Sequence, residues 1–204
     1  NFHNLYKELL NFCTVELSAF YFDIRKDTLY CEALNSDKRK NCIILLNIIL
    51  QCLLKWFAPI LSFTTEEIYQ LIKKEEDNQS IHLQNFISVP SSWNNEDLSS
   101  DWDYVKKIRD EANISIENMR AEKTIGSSLE AIVEIRLNQE FYEKAKNINF
   151  SEICITSSAS ITKDENLKKN IDVIAKKAKG KKCPVCWKIF ETDCERHGHL
   201  NLNA

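Results

Sequence analysis

The chain has 204 residues, 44% of them hydrophobic, and a formal net charge of −3 at pH 7, values that are ordinary for a globular protein with a substantial core. No secretory signal is evident, so a disulfide scaffold is not expected despite the eight cysteines. The longest apolar run, residues 43–54, is shorter than the about 20 residues that a bilayer span needs. We therefore expect a cytoplasmic chain without a membrane partner.

The charge is unevenly distributed along the sequence. Residues 59–162 contain 10 basic and 18 acidic side chains, whereas residues 163–190 contain 9 basic and 3 acidic ones. A local basic segment on an acidic protein is typical of a patch that contacts a polyanion. A solvated lysine-rich linker is the alternative interpretation from charge alone.

The first half of the sequence predicts helices. Apolar residues recur at helical spacing over residues 2–24, which indicates one long helix or two joined end to end. After a turn at 35–37, a helix apolar on nearly every side runs to Phe57 and is expected at the centre of a bundle. Residues 64–67 match a capping box and predict a third helix from Thr65, with Phe63 and Ile68 as its hydrophobic staple.

The second half predicts a small α/β unit. Residues 73–100 lose periodicity and indicate a surface crossing that Trp93 holds in place. The next helix has one apolar stripe, formed by Trp102, Val105, Ile108, Ala112, Ile116 and Met119. Residues 131–137 alternate as in a half-buried strand. Two further strands are expected at 152–156 and 171–175, with a helix near 139–146.

The C-terminal tail contains the residues with the clearest chemistry. Cys183 and Cys186 have C-x-x-C spacing, and Cys194 and His197 follow closely. Three thiolates and an imidazole can surround one structural Zn²⁺ as a closed tetrahedral site, which leaves no position for a substrate. His199 is the alternative fourth ligand, and a half-liganded Cys183–Cys186 pair is the alternative to a complete site. Cys13, Cys31, Cys42 and Cys52 lack ligand spacing and are expected to be core residues.

Four sets of residues resemble a known family. They are NFH, NFC, LSAFYFD and KDTLYC within residues 1–31, APILSFTTEEI at 58–68, RAEKTIGSSLEA at 120–131, and GKKCPVCW at 180–187. In this order they resemble the anticodon-binding domain, junction and zinc segment of bacterial-type isoleucyl-tRNA synthetases. The pattern at 58–68 is shared more loosely with the related valyl and leucyl enzymes, whose equivalent region is an alternative. The family's second ligand pair commonly has two cysteines after a longer spacer, so His197 departs from its pattern.

The resemblance implies a mainly α fold. We expect an anticodon-binding helical bundle over residues 1–100, a junction helix with a small α/β subdomain over 101–178, and a zinc knuckle over 179–204. The chain begins without methionine and within a predicted helix, so we expect a fragment of a longer protein. A free-standing tRNA-binding module and a purely structural zinc-knuckle protein are the alternatives.

The resemblance also implies a role in translation. The parent enzyme, an isoleucine–tRNA ligase, would attach isoleucine to tRNA-Ile with ATP. The H-x-G-H and K-M-S-K-S segments that bind ATP in this family are absent here, so neither catalytic residues nor ATP binding are expected in this chain. The expected partner is tRNA-Ile, with no DNA, and the expected state is a monomer.

Two groups of side chains are candidates for RNA binding. Trp187 directly follows a predicted zinc ligand and lies among Lys181, Lys182 and Lys188, so it could stack on an anticodon base while the lysines contact phosphates. Covering the core of the knuckle is the alternative role for this ring. The second group lies near helix ends and could contact the stem backbone; it consists of Arg25, Lys26, Lys38, Arg39 and Lys40.

Overall fold

The computed structural model describes residues 1–73 and 79–198. The chain is mainly α-helical, as predicted, with a small sheet region in its second half. It divides into two compact units, the first over Asn1–Asn94 and the second from Asn95 onward.

The first unit is helical. Its helices are α1 (Phe2–Asn11), α2 (Asp23–Cys31), α3 (Asp37–Phe57) and α4 (Ser62–Ile72), and a π-helical segment (Phe12–Phe22) joins α1 to α2. The predicted end-to-end helix is therefore present, but its middle adopts the wider π geometry. Helix α2 packs on α3, and α3 packs on α4.

A short connection completes the core of this unit. Ile81, in the 3₁₀ turn Ile81–Leu83, is almost completely buried and belongs to a cluster with Leu54, Ala58 and Tyr69. A second 3₁₀ turn, Ser91–Trp93, leaves Trp93 56% exposed. Trp93 thus has less than half of its surface in contact with the protein, and its role in holding the crossing in place stays a prediction.

The predicted capping box is also wrong. Helix α4 begins at Ser62, three residues before the predicted start, and Phe63 is 92% exposed, so it makes no staple. Glu66 instead points to the 3₁₀ turn, where its carboxylate accepts hydrogen bonds from the Ser80 hydroxyl (2.7 Å) and the Ile81 N–H (2.9 Å). This bond pair holds Ile81 in the core.

Helix α3, with 21 residues, is long and apolar enough to span a membrane by length and composition. The argument from residues 43–54 is therefore wrong, because the helix extends beyond that run at both ends. One such helix is weak evidence for a span, since core helices of soluble proteins meet the same criteria. Cys42, Cys52 and Leu54 are buried, but 17% of the apolar window is buried in all, and Ile44 is 57% exposed. The prediction that α3 lies at the centre of a bundle is therefore wrong. The absence of a membrane partner stays a prediction.

The second unit begins with the 26-residue helix α5 (Glu96–Ala121). The elements that follow are β1 (Ala131–Leu137), α6 (Gln139–Ala145), α7 (Phe150–Ile153), β2 (Ser158–Lys163), β3 (Ile171–Lys177), β4 (Lys181–Lys182) and β5 (Ile189–Phe190). The predicted stripe of α5 is buried at Val105, Ile108, Ala112 and Ile116. Alternation along β1 is also as predicted, with every second residue buried.

The larger sheet has the strand order β2-β1-β3, with β1 parallel to β2 and antiparallel to β3. Helix α5 packs against β3, and the Ala175 N–H donates to Ser115 Oγ of that helix at 2.9 Å. This contact satisfies an amide at the edge of the sheet.

The predicted strand at 152–156 is wrong. The Asn149 side chain accepts from the Ser151 N–H at 3.2 Å and starts the short helix α7, which buries Phe150 and Ile153 on one side. Strand β2 begins only at Ser158. Its parallel pairing with β1 requires the connection through α6 and α7.

The contacts of Glu66 predict a pH-dependent contribution to the stability of the first unit. Hydrogen bonds from Ser80 and then Gln70 hold the pKa of Glu66 below its usual value. A carboxylate with a lowered pKa stabilises the fold above its unfolded-state pKa of about 4.3, and this stabilisation is lost as the pH falls through the lower folded-state value. We expect Glu66→Gln to lower the urea midpoint at pH 7, and the deficit to shrink below about pH 4.

The matched control is Glu67→Gln, because Glu67 is the exposed neighbour on the same helix. Its midpoint should stay close to that of the wild type across the same pH range. Equal midpoints for the wild type and Glu66→Gln at pH 7 would show that the carboxylate does not hold the 3₁₀ turn.

Candidate metal centre and nucleic-acid interface

The knuckle, residues 179–198, begins with a very short hairpin. Strand β4 pairs antiparallel with β5, and the turn between them contains Cys183 and Cys186. Backbone bonds close this turn: the Cys183 N–H donates to Lys188 O at 2.8 Å, and the Trp187 N–H donates to Cys183 O at 3.0 Å. The local C-x-x-C turn thus directs both thiols to the same side.

Gly180 is required where the chain enters this hairpin. Its φ of +123° lies in a region that side chains rarely adopt, and a Cβ atom there would lie 2.0 Å from the Phe190 carbonyl oxygen. The close approach of the two strands therefore depends on a residue without a side chain. In the sequence, Gly180 is distinguished only as part of the GKKCPVCW segment, and the backbone geometry reveals its role.

A second turn completes the ligand set. The Gly198 N–H donates to Cys194 O at 2.7 Å, and Gly198 has a φ of +58°. This turn brings His197 back towards Cys194. The seven-residue segment between Cys186 and Cys194 is therefore long enough to bring the side chains of the two turns together.

The four predicted metal ligands lie together. His197 Nδ1 is 3.4 Å from Cys183 Sγ and 3.3 Å from Cys194 Sγ, and the Cys186 and Cys194 sulfurs are 3.9 Å apart. All four ligand atoms lie within 4.8 Å of one another, with the thiols buried and the imidazole half-buried. His199, the alternative ligand, lies outside the described residues.

These distances suit a tetrahedral metal ion. With Zn–S bonds of about 2.3 Å and Zn–N bonds of about 2.0–2.1 Å, a tetrahedron places sulfur atoms about 3.8 Å apart, and sulfur and nitrogen about 3.5 Å apart. The observed separations are close to both values. The cluster can therefore hold one metal ion with little rearrangement.

The two thiols of the first turn differ in acidity. Burial opposes ionisation of Cys183, but hydrogen bonds from the Cys186 and Val185 amides, and then from the Cys186 and His197 side chains, lower its pKa to about 6. Burial is the main cause that raises the pKa of Cys186 to about 11. Cys183 is therefore prepared as a thiolate ligand, whereas a metal ion must displace a proton from Cys186.

Trp187, next to the candidate ligand Cys186, extends into solvent. Its side chain is 59% exposed, and Lys182 Nζ lies 5.6 Å from the ring centroid, within cation–π range. Lys181 and Lys182 are exposed, and Lys188 is half-buried. More than half of the Trp187 surface is therefore exposed to solvent.

The basic residues of the first unit make mainly local contacts. The Arg25 guanidinium lies 5.6 Å from the Tyr21 ring centroid, and Lys26 pairs with Asp23 at 2.9 Å. Arg39 Nε donates to Leu29 O at 3.0 Å near the end of α2.

The remaining basic residues of this group lie in the first turn of α3. Lys40 lies 3.7 Å from Asp37, and Lys38 is exposed. Among the five cations of this group, Lys26, Lys38 and Lys40 are the exposed ones.

The four cysteines that the sequence assigned to the first unit's core differ in burial. Cys42 and Cys52 are buried, whereas Cys13 and Cys31 are half-buried. The metal-ligand group found among the described residues is the one in the knuckle.

A family model described as the anticodon-binding domain of tRNA ligase matches residues 1–135 of this chain. The chain belongs to this family. The expectation drawn from the sequence resemblance is thereby confirmed.

Several relatives of this anticodon-binding domain are isoleucine–tRNA ligases. That of Pelagibacter ubique is 61% identical over 200 residues, which cover 97% of this chain and 21% of that protein. That of Agrobacterium fabrum is 38% identical over 198 residues, 93% of this chain and 20% of that protein. The chain therefore spans about a fifth of the length of the curated relatives it matches.

The ligand geometry predicts that the knuckle retains one metal ion through Cys183 and His197. Removing a ligand leaves three donors and weakens binding, so Cys183→Ser and His197→Ala should both release the ion to a chelator. Metal content after dialysis checks this result. Cobalt substitution reports the donors, because each thiolate lost reduces the thiolate-to-cobalt charge-transfer absorption.

Two variants serve as controls. Cys13→Ser removes a thiol outside the cluster and should keep the metal, and His199→Ala tests the other histidine. Metal retained by His197→Ala but lost by His199→Ala would assign the fourth ligand to His199. A wild-type chain without metal after preparation in zinc-containing medium would contradict the site altogether.

Proposed function

We propose that this anticodon-binding domain serves as the tRNA-binding region of an isoleucine–tRNA ligase and grips the anticodon stem and loop of tRNA-Ile. The observation that carries the proposal is the family match over residues 1–135, together with 61% identity to an isoleucine–tRNA ligase along nearly the whole chain. Its parts are the bundle at 1–100, the junction subdomain at 101–178 and the zinc knuckle at 179–204.

The ion in the knuckle is Zn²⁺ in this proposal. Three thiols and one imidazole form a soft donor set, and zinc accepts it in tetrahedral geometry. Because four protein ligands leave no open coordination position, the ion has a structural role. Its function is to hold the hairpin and the second turn together.

Trp187 is the proposed stacking residue. Its φ of +63° places a bulky side chain in the left-handed region, which costs roughly 1–2 kcal/mol relative to ordinary backbone. Glycine would fit this position without that cost. An exposed tryptophan at a strained position is therefore best explained by contact with a ligand, and a splayed RNA base is the ligand that suits an aromatic face beside lysines.

The cationic side chains supply the sequence-independent part of binding. Lys181, Lys182 and Lys188 lie in or next to the hairpin and would contact loop phosphates. In the first unit, Lys26, Lys38 and Lys40 are exposed and would contact the stem backbone. Arg25 and Arg39 would support this surface through their contacts with Tyr21 and the end of α2.

The reaction itself belongs to the rest of the proposed parent enzyme. That enzyme would bind ATP, activate isoleucine and transfer it to tRNA-Ile in the cytoplasm, as a monomer. This chain would contribute affinity and anticodon discrimination, and none of its residues would act on the aminoacyl group.

Binding to tRNA tests the proposal directly. The zinc-loaded chain should bind tRNA-Ile more tightly than a non-cognate tRNA in a filter-binding titration, and the affinity should fall as salt rises from 50 to 200 mM, conditions that we choose to expose counterion release. A variant of tRNA-Ile with a changed anticodon is the matched RNA control. Failure of the folded, metal-loaded chain to bind any tRNA would refute the proposed function.

The backbone conformation of Trp187 predicts opposite effects on folding and binding. Trp187→Gly relieves the left-handed strain, so the knuckle should keep its zinc and resist chelation at least as well as the wild type. The same substitution removes the stacking surface and should weaken tRNA binding by about 1–3 kcal/mol. Trp93→Ala is the control, because it removes an exposed tryptophan outside the knuckle. Unchanged affinity in Trp187→Gly with zinc bound would assign the ring another role.

A further inference from the structure

A buried hydroxyl joins the knuckle to the rest of the second unit. The Ile189 N–H of strand β5 donates to Ser157 Oγ at 2.6 Å, and the Ser157 hydroxyl in turn donates to the Leu129 carbonyl. A serine hydroxyl has one donor and can accept at its oxygen, so both bonds form at once. Ser157 is 7% exposed and lies just before β2, far from the knuckle in sequence.

The position of Ser157 is itself fixed by the sheet. The Ser157 N–H donates to Ala131 O at 2.9 Å, at the start of β1. Nearby, the Ala178 N–H donates to Glu130 O at 2.8 Å, which ties the segment entering the knuckle to the same turn. The hydroxyl is therefore presented from a rigid part of the α/β subdomain.

The bond reaches the knuckle at its free edge. Cys183 and Lys188 already bond across the hairpin, and successive residues of a strand direct their amides to opposite edges. The Ile189 N–H consequently points away from β4, and Ser157 satisfies it. Ile189 is two residues from Trp187 and pairs with Lys182. A movement of β5 away from Ser157 would break this bond.

We propose that Ser157 is a positioning residue for the RNA-binding face of the knuckle. Zinc fixes the internal shape of the knuckle, whereas the Ser157 hydroxyl fixes its orientation on the α/β subdomain, and with it the direction of the Trp187 ring. Without the hydroxyl, the metal-bound knuckle moves about the segment 178–180. The effect on tRNA rests on the proposed function; the effect on the motion of Trp187 does not.

The variants isolate the hydroxyl from the shape of the side chain. Ser157→Thr and Ser157→Val have nearly the same volume and branching, but only threonine keeps the hydroxyl, so any crowding by the added methyl is common to both. Ser157→Ala removes the hydroxyl without adding volume. Ser115→Ala is the matched control, because Ser115 Oγ accepts a backbone N–H within the same unit but away from the knuckle.

Three measurements on the full chain are compared for each variant. Zinc content reports the integrity of the knuckle. Fluorine NMR of 5-fluorotryptophan-labelled protein reports motion, with the Trp187 resonance among the four tryptophans identified by its loss in Trp187→Phe. Filter binding with tRNA-Ile reports affinity.

We expect Ser157→Val and Ser157→Ala to keep zinc, to narrow the Trp187 resonance and to bind tRNA-Ile roughly five- to thirty-fold more weakly than Ser157→Thr. Ser115→Ala should leave the Trp187 linewidth unchanged. An unchanged linewidth in both Val and Ala variants would overturn the proposal. Loss of zinc in both would also overturn it, because the hydroxyl would then support the knuckle's own fold.

The outcomes also separate this inference from the proposed function. If the wild type fails to bind tRNA while the Trp187 linewidth still depends on the hydroxyl, the positioning role stands and the proposed function fails. If tRNA-Ile binds tightly to every variant, the function stands and the positioning role fails.

Discussion

The closure of four soft ligands around one point is the constraint on which the C-terminal region depends. Within the described residues of the knuckle, 179–198, the buried side chains are the three thiols Cys183, Cys186 and Cys194. Two-residue strands and two tight turns bury too little apolar surface to offset the entropy of ordering them. The convergence of Cys183, Cys186, Cys194 and His197 therefore takes the place of a hydrophobic core here, and a metal ion bound by them would couple to the folding of this segment.

The same constraint explains why the knuckle can present an exposed aromatic ring. A non-glycine residue in the left-handed region lowers the free energy of unfolding, and the total stability of a small domain is low. In the knuckle, Trp187 directly follows a ligand, and its N–H bonds back to Cys183, so the metal turn imposes the conformation on whichever residue stands there. The ring is 59% exposed, and Lys182 places a positive charge over one face.

Periodic features of this fold were predictable from the sequence, and features set by distant contacts were not. The apolar stripe of α5 and the alternation of β1 follow directly from burial on one face. The spacing of residues such as Ile108 and Val133 therefore predicts a helix and a strand. Residues 64–67 satisfied a local capping rule, yet α4 starts earlier, and Glu66 bonds to a turn fifteen residues away and not to the start of its helix. At 152–156 the apolar residues have strand-like spacing, but the Asn149 cap starts a helix there.

The candidate metal site also combines features that local sequence predicts with features that distant contacts determine. The clustering of Cys183, Cys186, Cys194 and His197 was predictable because metal coordination restricts both residue type and spacing. His197 departs from the family pattern, but its Nδ1 lies 3.3 Å from Cys194 Sγ. The roles of Gly180 and Ser157 were not predictable, since a single glycine or serine has no distinguishing pattern and acts here through partners at Phe190 and Ile189. The candidate metal ligands can thus be identified from local sequence, whereas the orientation of the knuckle depends on tertiary hydrogen bonds. A knuckle transplanted with its four candidate ligands alone would keep its donor set but lose the hydrogen bond from the Ile189 N–H to Ser157.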